Sequence, residues 1–231
     1  MRFQDAAPDA RAVVYAGVQA DPLVARAAAL LADAGPDQRL LARAVMNGSN
    51  VDAGAWRTMF PTLFGEAAVA APGPAADRDR DRSEAILAAS IEVADRGEQV
   101  RQQVRGAIVE SLTELLVRRR AATAPGAVRR ERRILFDGVR AEIHPYDVTV
   151  ETAGRAEAID CKWGARGINA DVLHQLDDAR VHAVDEDEAL ATTLVVFDAR
   201  RSCDVRLERQ TAPHAATRLV SIETLDELAG A

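Results

Sequence analysis

Three residues of this sequence have types and spacing that suit chemistry: Asp147 in "YDVTV", and Asp160 and Lys162 in "IDCK". Residues i and i+2 of a strand share a face. A strand here therefore sets a carboxylate beside an ammonium, with Ile159, Cys161 and Trp163 on the other face. Thirteen positions separate the two aspartates, enough for one hairpin. Adjacent antiparallel strands would bring both carboxylates to one spot. Such a pair repels and normally needs a cation. For oxygen-only ligands the natural cation is Mg²⁺ or Mn²⁺. A lysine next to it can position or deprotonate a water, or neutralise charge on a phosphate. That chemistry is phosphodiester hydrolysis. The plainer alternative on spacing alone is a structural ion pair, with Asp147 as a strand-end residue.

Lys162 is the single lysine among 29 basic residues; every other one is arginine. Arginine is planar, wide and always charged, whereas lysine is a compact point charge. The lone lysine suggests a position that arginine would not serve.

The elements that must position these residues follow from periodicity. Residues 1 to 70 read as an all-helical accessory region. Within it, "DPLVARAAALLADAG" and "PDQRLLARAVMNG" each have a Pro start and a Gly stop. Residues 71 to 82, "APGPAADRDRDR", read as a linker by composition. The remainder, 83 to 231, reads as the domain that carries the chemistry. A helix returns at Ser83 with a break at Gly97, and its second half is amphipathic. The period then shifts toward 2. "RRILF" is a strand, Asp137-Gly138 a hairpin turn, "YDVTVE" a strand entered past Pro145, Ala153-Gly154 a turn and "EAIDCKW" a strand. "ADVLHQLDDARVHAVDED" is a helix. "TTLVVFDAR" reads as a buried, parallel-type strand, and "RLVSI" as a short last one. From about residue 98 the order is α-β-β-β-α-β.

This order, with "YDVTV" followed after 13 residues by "IDCK", resembles the PD-(D/E)XK nuclease superfamily, including Holliday-junction resolvases and restriction-type nucleases. The resemblance covers residues 98 to 200. It implies an α/β, restriction-endonuclease-like core in which a mixed central sheet is flanked by helices. Asp147, Asp160 and Lys162 match the motif. "GAIVE" puts Glu110 at the position of an acidic residue on the first helix, and "LHQLDDAR" puts Gln175 at that of a glutamine facing the site. Tyr146 stands where the signature has proline, and Pro145 is one step away. The resemblance implies Mg²⁺ or Mn²⁺ held by Asp147, Asp160, the Cys161 carbonyl and Glu110. Lys162 would orient water or bind the scissile phosphate, and Gln175 would support it. The implied activity is a DNA endonuclease rather than an exonuclease, in defence or repair. The alternative is a non-catalytic nuclease-like subunit for nucleic-acid binding or assembly.

Arg118, Arg119, Arg120, Arg129, Arg130, Arg132 and Arg133 fall within 16 residues, opposed only by Glu131, and form a candidate DNA-phosphate patch. The net charge of −7 argues against non-specific coating of nucleic acid. Two cysteines make no disulfide framework, and the four histidines show no metal-ligand spacing. No apolar run reaches a membrane span and no signal-peptide pattern is present, so a cytoplasmic protein is expected. The expected partners are DNA and either a second copy or a partner protein met through the N-terminal helices.

Overall fold

The structure is a computed structural model that describes residues 1–6, 10–66, 73–120, 128–140, 144–152 and 155–230, with the backbone alone for 10–12, 139 and 140. The chain is α/β and divides into two compact units. One is Val14–Leu112; the other is Met1–Val13 with Thr113–Ala231.

The second unit holds the sheet. Its strands are β1 (Arg2–Asp5), β2 (Val128–Phe136), β3 (Val139–Arg140), β4 (Tyr146–Thr152), β5 (Arg155–Lys162), β6 (Leu190–Val196) and β7 (Arg218–Val220). Six lie in the order β1-β2-β4-β5-β6-β7, and β3 pairs with β2 alone. The pairs from β1 to β5 are antiparallel; β5–β6 and β6–β7 are parallel, so the sheet is mixed. Asp137 and Gly138 both have positive φ, 48° and 80°, the signature of a two-residue hairpin turn that matches strand twist. The Ala153-Gly154 turn lies outside the described residues.

Helix Ala170–Asp185 joins β5 to β6, as parallel neighbours require. Asn169 caps it by accepting the N–H of Val172 at 3.0 Å. Leu173, Leu176, Ala179 and Ala183 pack with Ala158, Leu194 and Val196 in one buried cluster.

The helical unit contains helices Pro22–Ala32, Pro36–Asn47, Ala53–Met59, Pro61–Phe64 and Pro74–Ala94. Asp21 caps the first of these and is also paired with Arg96. Leu23, Leu31, Leu41, Val45, Ile86, Leu87 and Val93 are fully or almost fully buried there. Trp56 is buried there, while Met59 is exposed.

Three expectations about organisation differ from the structure. Residues 1 to 70 are not all helical: Arg2–Asp5 is an edge strand on β2. Four residues are too few to show a period, and the strand is fixed by its partner, with Asp5 paired to Arg132 at 3.0 Å. The segment read as a linker, 71 to 82, begins helix Pro74–Ala94 from Pro74 onward. Its alternating charges form i,i+3 pairs, Asp77–Arg80 and Asp79–Arg82, which support a helix. The division between units also falls inside helix Glu98–Arg120, not at 71 to 82.

Candidate functional site

β5 carries the expected alternation. Cys161 faces Thr113, its thiol 3.4 Å from the hydroxyl, and Glu157 on the same face takes Thr193 and Arg120. Ala158, on the other face, packs against Leu173, Leu176 and Ala179. Asp160 and Lys162 share that second face by the two-residue period. Both line an opening at the C-terminal end of β5.

The β4–β5 register pairs Val148 with Ile159. Continued by one residue, it sets Asp147 opposite Asp160. The regular ladder stops here, and the N–H of Cys161 donates to Asp147 Oδ2 at 2.6 Å. The carbonyl of Lys162 accepts the N–H of Phe197 at 2.8 Å, on the β6 side. By strand alternation the Cys161 carbonyl turns to the β4 side, where Asp147 lies.

The ammonium of Lys162 pairs with the Asp160 carboxylate. Asp160 is buried, and the Lys162 side chain is about a quarter exposed, 27%. Burial pushes the lysine pKa down. The carboxylates of Asp160 and Asp147 outweigh it, so the net shift is upward. Beside these carboxylates the ammonium form of Lys162 is favoured, which suits a charge-neutralising role.

His144, Pro145, Asp147, Asp160, Lys162, Asn169, Asp171, Val172 and Gln175 line one cavity of about 400 Å³. The sequence motif and the cavity therefore coincide at Asp147, Asp160, Lys162 and Gln175. The role expected for Gln175 differs, however. Its amide accepts the N–H of His144 at 3.3 Å and donates to the carbonyl of the same residue at 3.2 Å. The Tyr146 hydroxyl donates to the Gln175 carbonyl at 3.2 Å. Gln175 and Tyr146 together fasten the chain where it enters β4, just before Asp147. Gln175→Ala is therefore expected to lower stability by about 1–2 kcal/mol, through lost hydrogen bonds around a buried amide, as measured by urea unfolding.

Glu110 belongs to the helical unit, where its carboxylate accepts the Tyr15 hydroxyl at 2.5 Å and the Gln19 amide at 2.8 Å. Asn169 and Asp171 line the cavity and were not singled out from sequence. Asn169 was detectable, as a capping residue type just before a helical period. Asp171 carried no such signal.

Four of the seven arginines of the patch are tied into ion pairs within the protein. The patch is interrupted by residues 121–127, which lie outside the described residues, and its second half lies on β2. Arg118 and Arg130 share Glu114, Arg120 pairs with Glu157, and Arg132 pairs with Asp5 and Glu151. Arg118, Arg119 and Arg129 are exposed, and of these Arg118 is held by Glu114. Arg132→Ala is expected to destabilise the sheet unit, whereas Arg129→Ala should leave the melting temperature within about 1 °C, as surface changes usually do. If Arg119 and Arg129 meet phosphates, their double Ala variant flattens the salt dependence of DNA binding by about two units of slope.

Among the described residues, no group of three or more His, Cys, Asp or Glu side chains is gathered in a way that would hold a metal. No helix among them is long and apolar enough to cross a membrane. No family model matches the chain, and no curated protein matches it. Among solved structures it is similar to protein VC1899 from Vibrio cholerae, at 18% identity with a TM-score of 0.43. The match covers 99% of this chain and 57% of that one, so the chain spans little more than half of its length.

Proposed function

We propose that the chain is a metal-dependent nuclease hydrolysing DNA phosphodiester bonds, with a restriction-endonuclease-like core in the sheet unit. The observation that carries this reading is the meeting of Asp147, Asp160 and Lys162 at one cavity, at the end of β4 and β5. The order helix Glu98–Arg120, β2, β4, β5, helix Ala170–Asp185, β6 is in keeping with it.

The donors fit a hard divalent cation. They are all oxygen: two carboxylates, with a backbone carbonyl turned to the same side. One of them, Asp160, already pairs with a cation, the ammonium of Lys162. Two protein carboxylates and several waters are the usual shell of Mg²⁺. Asp147, Asp160 and the Cys161 carbonyl would hold Mg²⁺ or Mn²⁺; Glu110 stays with Tyr15 and Gln19 and is left out of this set. The bound ion would supply Lewis-acid polarisation and a more acidic water.

The chain's own side chains do the rest. Lys162 pairs its fixed ammonium with a non-bridging oxygen of the scissile phosphate, where negative charge grows in the transition state. Asp160 keeps that ammonium in place before substrate arrives. Gln175 and Tyr146 hold the entry to β4 so that Asp147 keeps its position opposite Asp160. The Asn169-capped helix end presents its partial positive charge to the same cavity.

The test is to titrate Mn²⁺ into the purified chain and to follow cleavage of supercoiled plasmid. A nuclease binds the ion and cuts. A nuclease-like assembly subunit does neither, and that outcome would retire the proposal.

A further inference from the structure

We propose that Gly167 is a positioning residue that sets the direction of Lys162. This deepens the proposed function: it rests on that reading for what Lys162 does, but not for where Lys162 is held. The turn Ala165–Gly167 follows β5 after two residues. A Cβ placed on Gly167 would lie 2.9 Å from each of Cβ, Cγ and Cδ of Lys162. Real side chains do not approach so closely. Only a residue without Cβ lets this turn lie along the lysine stem.

Neither partner has room to retreat freely. The N–H of Ala165 donates to Asp198 Oδ2 at 3.0 Å, and that of Gly167 to the Gly164 carbonyl at 2.8 Å. The Ile168 carbonyl accepts from Arg206 Nε at 2.9 Å. Ala165 and Ile168 are buried in the cluster beneath helix Ala170–Asp185. The Lys162 backbone is tied to β6 through Phe197. What can give most easily is the lysine side chain itself. The clash involves its first three methylene carbons and not its flexible tip. A different rotamer moves Cγ and Cδ, whereas Cβ is fixed by the backbone, so relief needs the rotamer change together with a small shift of the turn. Gly167 thus closes one side of the stem, and the ammonium is aimed at Asp160.

The single lysine makes the test unambiguous. Full-length protein grown with ¹³C,¹⁵N-lysine gives one lysine side-chain spin system by NMR, that of Lys162. In the wild type, NOEs should link Gly167 Hα to the Lys162 methylenes. Gly167→Ala should shift the Lys162 Cε–Hε signal while the remaining spectrum stays folded. In the cleavage assay kcat should fall about 10²-fold with KM little changed, since a misplaced group costs rate more than binding. An absent Gly167–Lys162 NOE in the wild type would overturn the inference, even if the variant failed to fold. So would an unmoved lysine signal in Gly167→Ala, or an unchanged kcat in a variant whose lysine has moved. A wild-type chain that cuts nothing would count against the nuclease reading alone, and the NMR comparison would still decide the placement.

Discussion

Chelation of divalent metal with EDTA is expected to abolish cleavage, and Mg²⁺ or Mn²⁺ to restore it. The expectation follows from charge. Asp147 and Asp160 face each other across β4 and β5, and their repulsion is offset by a single ammonium. A divalent ion offers the pair twice that charge and can also activate a water. Ca²⁺ should support DNA binding without cutting, because it takes more ligands in a looser geometry. The same linkage predicts a stability effect. Mg²⁺ binds the folded state only, so it should raise the melting temperature of the wild type. It should raise that of Lys162→Ala further, since the two carboxylates there have lost their ammonium. Asp160→Asn should lose activity. It should not gain stability, because the repulsion it would relieve is already neutralised by Lys162. Differential scanning fluorimetry with and without Mg²⁺ checks the wild type and both variants.

Lys162→Arg is expected to be nearly as inactive as Lys162→Ala, with a loss on the order of 10²-fold or more, as for removing one positioned charge from a transition state. A purely structural ion pair with Asp160 would tolerate arginine, which pairs with carboxylates at least as well. The site would not. The Lys162 stem is closed in by Gly167, and its ammonium sits beside a buried carboxylate. A planar guanidinium is too wide to take that place. Single-turnover cleavage by the two variants decides the matter. An arginine variant cutting at near wild-type rate would reduce Lys162 to a structural partner.

Much of the sheet unit was legible because its signals are local. The period of two in "EAIDCKW" gives β5 its two faces, and Asp137-Gly138 gives the turn. The near-continuous apolar run of "TTLVVF" gives a parallel strand buried between β5 and β7. The opposition of Asp147 and Asp160 follows from hairpin arithmetic. What was not legible depends on distant partners. β1 has four residues and no period, and is a strand only because β2, about 130 positions away, pairs with it. The Asp-Arg run of 77–82 has the composition of a linker, yet its spacing lets opposite charges meet one turn apart. Gln175 looked like a group aimed at the reaction. Its amide is matched instead to the backbone of His144, 31 positions earlier, which no residue type announces. Glu110 suited a metal by type, but Tyr15 and Gln19 use its carboxylate. The arginines of 118–133 read as one patch because sequence shows their sign and not their partners. Glu114, Glu157, Asp5 and Glu151 use four of the seven.

The most direct measurement is cleavage by the purified chain, set beside Asp160→Asn purified in the same way, on supercoiled plasmid, linear duplex, single strand and four-way junction. Mg²⁺ and Mn²⁺ are supplied in turn. The account predicts that the wild type cuts at least one of these substrates and that Asp160→Asn cuts none. Failure of the wild type on all four, or equal cutting by the variant, would contradict it.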